Sequence, residues 1–262
     1  MTELPPVVDA GWLRPRLGQP EVFVGDVRGP NAHARGHIRG SKPLVLGSPP
    51  PMSDPEVIEE LAKEIGLRLR RHGVTGEELL VLYDRGDGVG AMPSAQLAEL
   101  AGHPHVSVLV GGIAGWPDEL DVGQVELTPV KVQLEPRLDA LPTRAEVERR
   151  LGDDGLTLLD VRTEDEFHGR GGYPCDPRQG HIPGARRVDE EALFAGPGVP
   201  KTADEVQAAA DAPEGGEVIA YCHSGSRSAR ATLALRAAGY RARNYPGSWH
   251  EWSRHPELPL ER

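Results

Sequence analysis

The apolar positions of this chain fall into short continuous runs separated by stretches of helical spacing, and the alternation occurs twice. In the first half, residues 21–27, 79–83 and 106–110 carry apolar runs that predict buried strands, while 55–71 and 95–101 show helical spacing. In the second half the strand-like runs are 156–161, 218–221 and 241–245, and the helical ones are 144–151, 203–210 and 226–238. Strands alternating with helices predict parallel sheets covered on both faces, an α/β architecture. The stretch 127–137, with alternating apolar residues and the prolines Pro129 and Pro136, is extended in character. It predicts a linker wrapping across both halves. The expected division is a domain at 1–125, a linker at 126–142 and a second domain at 143–262.

The segment from Glu217 to Arg230 reads as strand, short polar loop and helix, with Cys222 at the junction. A cysteine placed there faces backbone N–H groups and the positive end of a helix dipole, which favour its thiolate. Cys222 is therefore the candidate nucleophile. The loop Cys222-His223-Ser224-Gly225-Ser226-Arg227 is rich in small residues that let backbone approach an anion, and Arg227 adds a positive fork. Because open α/β sheets bind ligands at the C-terminal ends of their strands, the loop also falls where a ligand is expected.

The Cys-x-x-Gly-x-Arg-Ser form of this loop resembles the active-site loop of rhodaneses, sulfurtransferases that carry a persulfide on cysteine. Upstream, Asp160-Val161-Arg162 and Gly180-His181-Ile182-Pro183-Gly184-Ala185 are similar to the family's Asp-x-Arg and Gly-His-Ile-Pro-Gly-Ala signatures. Downstream, residues 245–252, with Trp249 and Trp252, resemble its closing segment. The series also appears earlier: Asp26-Val27-Arg28, Gly36-His37-Ile38, the strand 80–83 and the closing residues 111–116. In that first copy Asp84 stands where the second has Cys222. A carboxylate neither accepts nor donates a sulfane sulfur, so the first domain is expected to be silent. The resemblance implies two tandem rhodanese-like domains, each a parallel sheet flanked by helices, with an active second copy.

It further implies transfer of a sulfane sulfur from thiosulfate to cyanide or a thiol through a Cys222 persulfide. The substrate-binding residues it implies are His223, Ser224, Gly225, Ser226, Arg227 and Arg162. 3-Mercaptopyruvate is the alternative donor, since Ser224 and Gly225 match the mercaptopyruvate-type loop. Glu166 stands where tandem enzymes often carry a donor-binding arginine; Arg162, Arg186 or Arg187 would substitute for it, or the donor differs. Phosphatases and arsenate reductases of the same fold place five residues between cysteine and arginine, whereas four separate Cys222 from Arg227. A non-catalytic binding module is the third class, against which the retained Cys222 argues.

Composition adds limits. Lys+Arg 29 against Asp+Glu 40 gives a net charge of −11, which disfavours nucleic acid and anionic membrane as partners. No apolar stretch approaches a membrane span, and residues 1–6 lack the basic start and apolar core of a signal peptide, so a cytoplasmic location is expected. Two cysteines make no disulfide framework. Cys175, in the insertion 171–177 that the first copy lacks, reads as an incidental loop thiol, with a redox partner for Cys222 as the sharper alternative. No Cys/His spacing resembles a zinc site, and neither metal nor cofactor is assigned. His37, His181, Asp160 and Arg162 occur in both copies or have counterparts there, which favours architecture over chemistry for them.

Overall fold

The computed structural model describes residues 5–262; residues 1–4, on which the signal-peptide reading partly rests, lie outside the described residues. The chain separates into two compact units. The first is built from residues up to Ser48, 59–138 and 197–199, and the second from 49–58, 139–196 and 200–262. The expected linker therefore divides at Leu138. Its N-terminal part belongs with the first unit because Val130 N–H bonds to the carbonyl of Arg70 and Arg137 N–H to that of Leu100.

The strands of the first unit are β1 (Val7–Val8), β2 (Val22–Asp26), β3 (Lys42–Pro43), β4 (Leu79–Tyr83) and β5 (Val106–Leu109). They form one sheet in the order β1-β5-β4-β2-β3, and every pairing is parallel. Helices α1 (Ala10–Leu13), α2 (Pro30–Arg35), α3 (Pro55–Arg71) and α4 (Ala91–Leu100) connect them. Val8, Leu13, Val24, Ile38, Val81, Tyr83, Leu109 and Trp116 pack into a core on this sheet.

In the second unit, α5 (Arg144–Arg149) precedes β6 (Leu156–Asp160), and α6 (Glu164–Phe167) precedes β7 (Arg186–Arg187). After two short strands outside the main sheet, β8 (Phe194–Gly196) and β9 (Val199–Pro200), come α7 (Ala203–Ala210), β10 (Glu217–Tyr221), α8 (Ser226–Ala237), β11 (Arg241–Asn244) and α9 (Ser248–Trp252). The sheet order is β11-β10-β6-β7, again all parallel. Its central strands β6 and β10 are largely apolar and buried on both faces, as a sheet covered on both sides requires, whereas the edge strands β7 and β11 carry arginines. Val147, Leu158, Ile182, Ile219, Tyr221, Tyr245, Trp249, Trp252 and Leu258 form the core, which makes Trp249 and Trp252 structural. Among the described residues no helix is long and apolar enough to cross a membrane.

The Asp-x-Arg and Gly-His-Ile motifs build the same scaffold in both units. Arg162 Nη2 donates to Asp160 Oδ2 at 2.6 Å and to the Gly180 carbonyl at 2.7 Å. Arg28 Nη2 does the same to Asp26 Oδ2 at 2.6 Å and the Gly36 carbonyl at 2.7 Å. His181 Nδ1 lies 2.9 Å from the Phe167 carbonyl, and His37 Nδ1 2.9 Å from that of His33. Because Asp160 and Arg162 are almost wholly buried, at 0% and 1% side-chain exposure, losing one partner strands the other's charge away from water. Asp160→Ala is expected to lower the stability of the second unit by about 3–5 kcal/mol. A shift of its denaturant midpoint, followed by tryptophan fluorescence, checks this; an unchanged midpoint would refute it.

Candidate active site

The register of β10 against β6 and β11 delivers Cys222 just beyond the C-terminal end of a central strand. The chain turns there through Gly225, whose φ of 87° only glycine adopts without strain and whose Cβ would meet the Pro246 carbonyl oxygen at 2.8 Å. α8 then begins at Ser226, and the amides of Ser226, Arg227 and Ser228 precede its first intrahelical bond, from Ala229 N–H to the Gly225 carbonyl. Cys222 is buried at 1% exposure. Gly225 N–H donates to its Sγ at 3.2 Å and Ser228 Oγ at 3.3 Å. Both donors stabilise negative charge on sulfur.

The closing segment clamps the loop from the other side. Ser248 Oγ accepts the Cys222 N–H at 3.1 Å, and the amides of Trp249 and His250 bond to the carbonyls of Cys222 and His223. Ser248 holds a φ of 53°, unusual for a side-chain-bearing residue, and its hydroxyl donates to the Tyr245 carbonyl at 2.8 Å. Asn244 Nδ2 donates to the Gly225 carbonyl at 3.1 Å. Glu251 takes the Tyr245 hydroxyl and both the amide and hydroxyl of Ser53, anchoring the helix that carries these residues. Sequence reasoning missed Ser228 and Ser248. Ser228 could have been found from its position on the first turn of α8, facing back toward the loop.

Arg227 is not a free cation. Its Nη1 and Nη2 donate to Glu166 Oε2 and Oε1 at 2.8 and 2.7 Å, a bidentate pair. Glu166 is fixed by a capping box at the start of α6, accepting the Thr163 amide at 3.1 Å and hydroxyl at 3.0 Å. Burial opposes the charge of Glu166, but the Arg227 pair and the Thr163 bonds outweigh it and hold the carboxyl at about 2. Burial likewise opposes the Arg227 charge, and the Glu166 bonds together with attraction to Cys222 raise its pKa. The expected repulsion of an anionic donor by Glu166 is thus cancelled in place.

Other expected site residues fall elsewhere. Arg162 does not line the loop; it is buried on Asp160 and the Gly180 carbonyl, which removes it from donor binding. Arg186 lies 3.1 Å from Asp211 in an exposed pair, and Arg187 lies 2.9 Å from Asp189. Ser224 and Ser226 are half-buried on the loop beside Cys222. His223 stacks on Tyr173 with ring centroids 3.6 Å apart and points its Nε2 at Asp176. Burial lowers its pKa, against the opposing pull of Asp176. Cys175 is a free thiol whose Sγ lies 4.0 Å from His223 Nε2, so it is not an isolated loop residue.

In the first unit the matching loop is closed on itself. Asp84 Oδ1 accepts the amides of Gly86 and Gly88 at 2.8 and 3.3 Å, and Oδ2 those of Gly90 and Ala91, both at 3.0 Å. A resident carboxylate occupies the place where loop amides would hold an incoming anion.

A family model described as a rhodanese-like domain matches residues 9–119 and again 143–255. The chain belongs to the rhodanese family. This rhodanese is 30% identical to a thiosulfate sulfurtransferase of Pseudomonas aeruginosa over 99% of its own length and 98% of the relative's. It is also 30% identical to a probable 3-mercaptopyruvate sulfurtransferase of the same organism, covering 97% of each chain. A crystal structure of a probable thiosulfate sulfurtransferase superposes with a TM-score of 0.73 at 31% identity, over 93% of this chain and 98% of that one.

Two outcomes follow for the loops of this rhodanese. The Glu166 carboxyl is depressed in the folded state relative to its ordinary value of 4.5, so the stability it contributes is present above that value and lost as pH falls toward about 2. Glu166→Gln is expected to flatten the stability profile over that window, by on the order of 3 kcal/mol at its upper end. Denaturant titrations at a series of pH values read this, and superimposable profiles would exclude the pair's role. Asp84→Ala, which orphans the loop amides of the first unit, is expected to cost about 1–3 kcal/mol in the same assay; no loss would show that the carboxylate does not hold the loop.

Proposed function

We propose that this chain is a thiosulfate sulfurtransferase whose second domain, from residue 143, carries the reaction on Cys222, while the first, through residue 125, is catalytically silent. The observation that carries the reading is the pair of loops: one presents a sulfur held by Gly225 N–H and the Ser228 hydroxyl, and the other fills the same position with the Asp84 carboxylate. The names of the full-length relatives support it.

The chemistry proceeds in two displacements. The Cys222 thiolate attacks the outer sulfur of thiosulfate; the new S–S bond forms as the donor's own S–S bond breaks, and sulfite leaves with the bonding pair. The persulfide anion on Cys222 takes over the place of the thiolate, within reach of the amides at the α8 N-terminus and the positive end of its dipole. A thiol or cyanide then attacks the outer sulfur, and Cys222 departs as thiolate. Ser224 and Ser226 lie where they can donate to the oxygens of donor or leaving group, and Gly225 supplies the turn. His223 holds the outer side of the loop. Arg227 serves chiefly through its pair with Glu166, leaving the backbone dipoles to hold the donor's oxygens. 3-Mercaptopyruvate remains the second donor, on the strength of the other full-length relative. We place the cycle in the cytoplasm, where a reducing environment keeps the Cys222 thiol available.

Intact-mass measurement after incubation with thiosulfate or with 3-mercaptopyruvate tests this directly. A gain of one sulfur atom is expected in the wild type and none in Cys222→Ser, with turnover to cyanide abolished in that variant. The faster-loading donor decides between the two. Loading that persists in Cys222→Ser, or none from either donor, would overturn the assignment.

A further inference from the structure

The fold brings four potential metal ligands together outside the sulfur-transfer chemistry: Cys175 Sγ, Asp176, His223 and His250, whose donor atoms all lie within 4.8 Å of one another. They come from three separate segments, the insertion, the residue after Cys222, and helix α9. Cys175 Sγ is 3.8 Å from Asp176 Oδ1 and 4.0 Å from His223 Nε2. Asp176 Oδ2 is 3.1 Å from His223 Nε2, and Oδ1 is 3.3 Å from His250 Nδ1. Ligands at Zn–S ≈ 2.3 Å and Zn–N or Zn–O ≈ 2.0–2.2 Å on a tetrahedron stand about 3.3–3.7 Å apart, and the four donor groups, within 4.8 Å of one another, need only side-chain adjustments to close on one shared ion.

Two further features point to a ligand. The Asp176 side chain is buried at 1% exposure, yet neither its Oδ2 nor His250 Nδ1 forms a well-directed hydrogen bond, although each lies close to another member of the cluster. Leaving such atoms unpaired costs about 1–3 kcal/mol each unless something else satisfies them. The surrounding bonds orient the cluster. Arg254 Nη1 donates to Asp176 Oδ1 at 3.1 Å, and Arg254 Nη2 bonds to the Cys175 carbonyl at 2.7 Å. Arg178 fixes the insertion by donating to the carbonyls of Trp252, Ser253, His255 and Leu258, and Trp249 Nε1 returns a bond to the Arg178 carbonyl. Carboxylate ligands held by such outer partners are the usual support of a metal centre.

We propose that Cys175, Asp176, His223 and His250 form a tetrahedral site for a divalent ion of the zinc class. A thiolate and a carboxylate neutralise such an ion, so the neighbouring Arg254 guanidinium is tolerated. One thiolate with two imidazoles and one carboxylate selects zinc or cobalt over the oxygen-seeking magnesium and calcium. Since His223 follows Cys222 directly, an ion there pins the insertion to the sulfur-carrying loop and to α9.

The test is titration of the chelator-stripped full chain with Co²⁺ under anaerobic conditions, in wild type and in the Cys222→Ser, Cys175→Ser and His250→Ala variants. One equivalent is expected to bind with the strong visible bands of tetrahedral cobalt and a thiolate-to-cobalt charge-transfer band that survive in Cys222→Ser. The charge-transfer band is lost in Cys175→Ser, and affinity falls at least tenfold in His250→Ala. Unchanged spectra in Cys175→Ser, bands lost only in Cys222→Ser, or no saturable binding would each overturn the site. Cobalt spectra report ligation whether or not Cys222 transfers sulfur, so this inference and the proposed function fail separately.

Discussion

The loop around Cys222 depends on a buried ion pair one strand away. A charged pair withdrawn from water repays its desolvation only when nearly every polar atom is bonded. Asp160 meets that condition by accepting the Arg162 amide, Nε and Nη2, and Arg162 spends its remaining reach on the Gly180 carbonyl. The Tyr221 hydroxyl accepts the Ile182 amide at 3.1 Å and adds its ring beneath the Arg162 guanidinium. The end of β6, the Gly180–Ile182 turn and the last residue of β10 are thereby fixed together, and Cys222 is the next residue. Asp26, Arg28, the Gly36 carbonyl, Tyr83 and Ile38 repeat the arrangement in the first unit, which is why the motif persists where the cysteine does not.

The two copies then diverge in a single choice of anion. A strand, a glycine-containing turn and a helix N-terminus create a place where backbone N–H groups converge. The first copy satisfies them with a covalently attached carboxylate, Asp84, which bonds four amides and leaves no vacancy for chemistry. The second places the Cys222 sulfur there, the atom that the proposed cycle extends by one sulfur and shortens again. Reading the first domain as silent rests on this occupancy as much as on the missing thiol.

Much of this was legible in the chain. The duplication, the α/β alternation and the position of Cys222 at a strand end followed from ordered motifs and apolar runs, because those features are local in sequence. Gly225 could be read as a turn for the same reason. What stayed hidden was convergence over long separations. Arg162 looked available for a donor, but its partner is two residues away and its environment is a core that only the fold assembles. Glu166 looked repulsive because Arg227, 61 residues on, could not be seen to cover it. Cys175, Asp176, His223 and His250 show no zinc-like spacing, since Asp176 and His223 are 47 residues apart and meet through the Arg178 and Arg254 bonds that hold the insertion in place.

The Glu166–Arg227 pair also suits the loop to both halves of the proposed sulfur-transfer cycle. Thiolate and persulfide each carry one negative charge, so the proposed cycle replaces one anion by another of the same charge one atom longer. An unpaired arginine beside the sulfur would favour whichever form brings the negative charge nearer to it and so make the two halves of the cycle unequal. With its charge matched by Glu166, Arg227 contributes a fixed local dipole, and the amides of the loop and of the first turn of α8 contribute others. Dipoles fixed by the fold need no reorganisation as charge moves from Cys222 Sγ to the outer sulfur and back. A balanced pair therefore suits a centre whose net charge is constant while the position of that charge shifts.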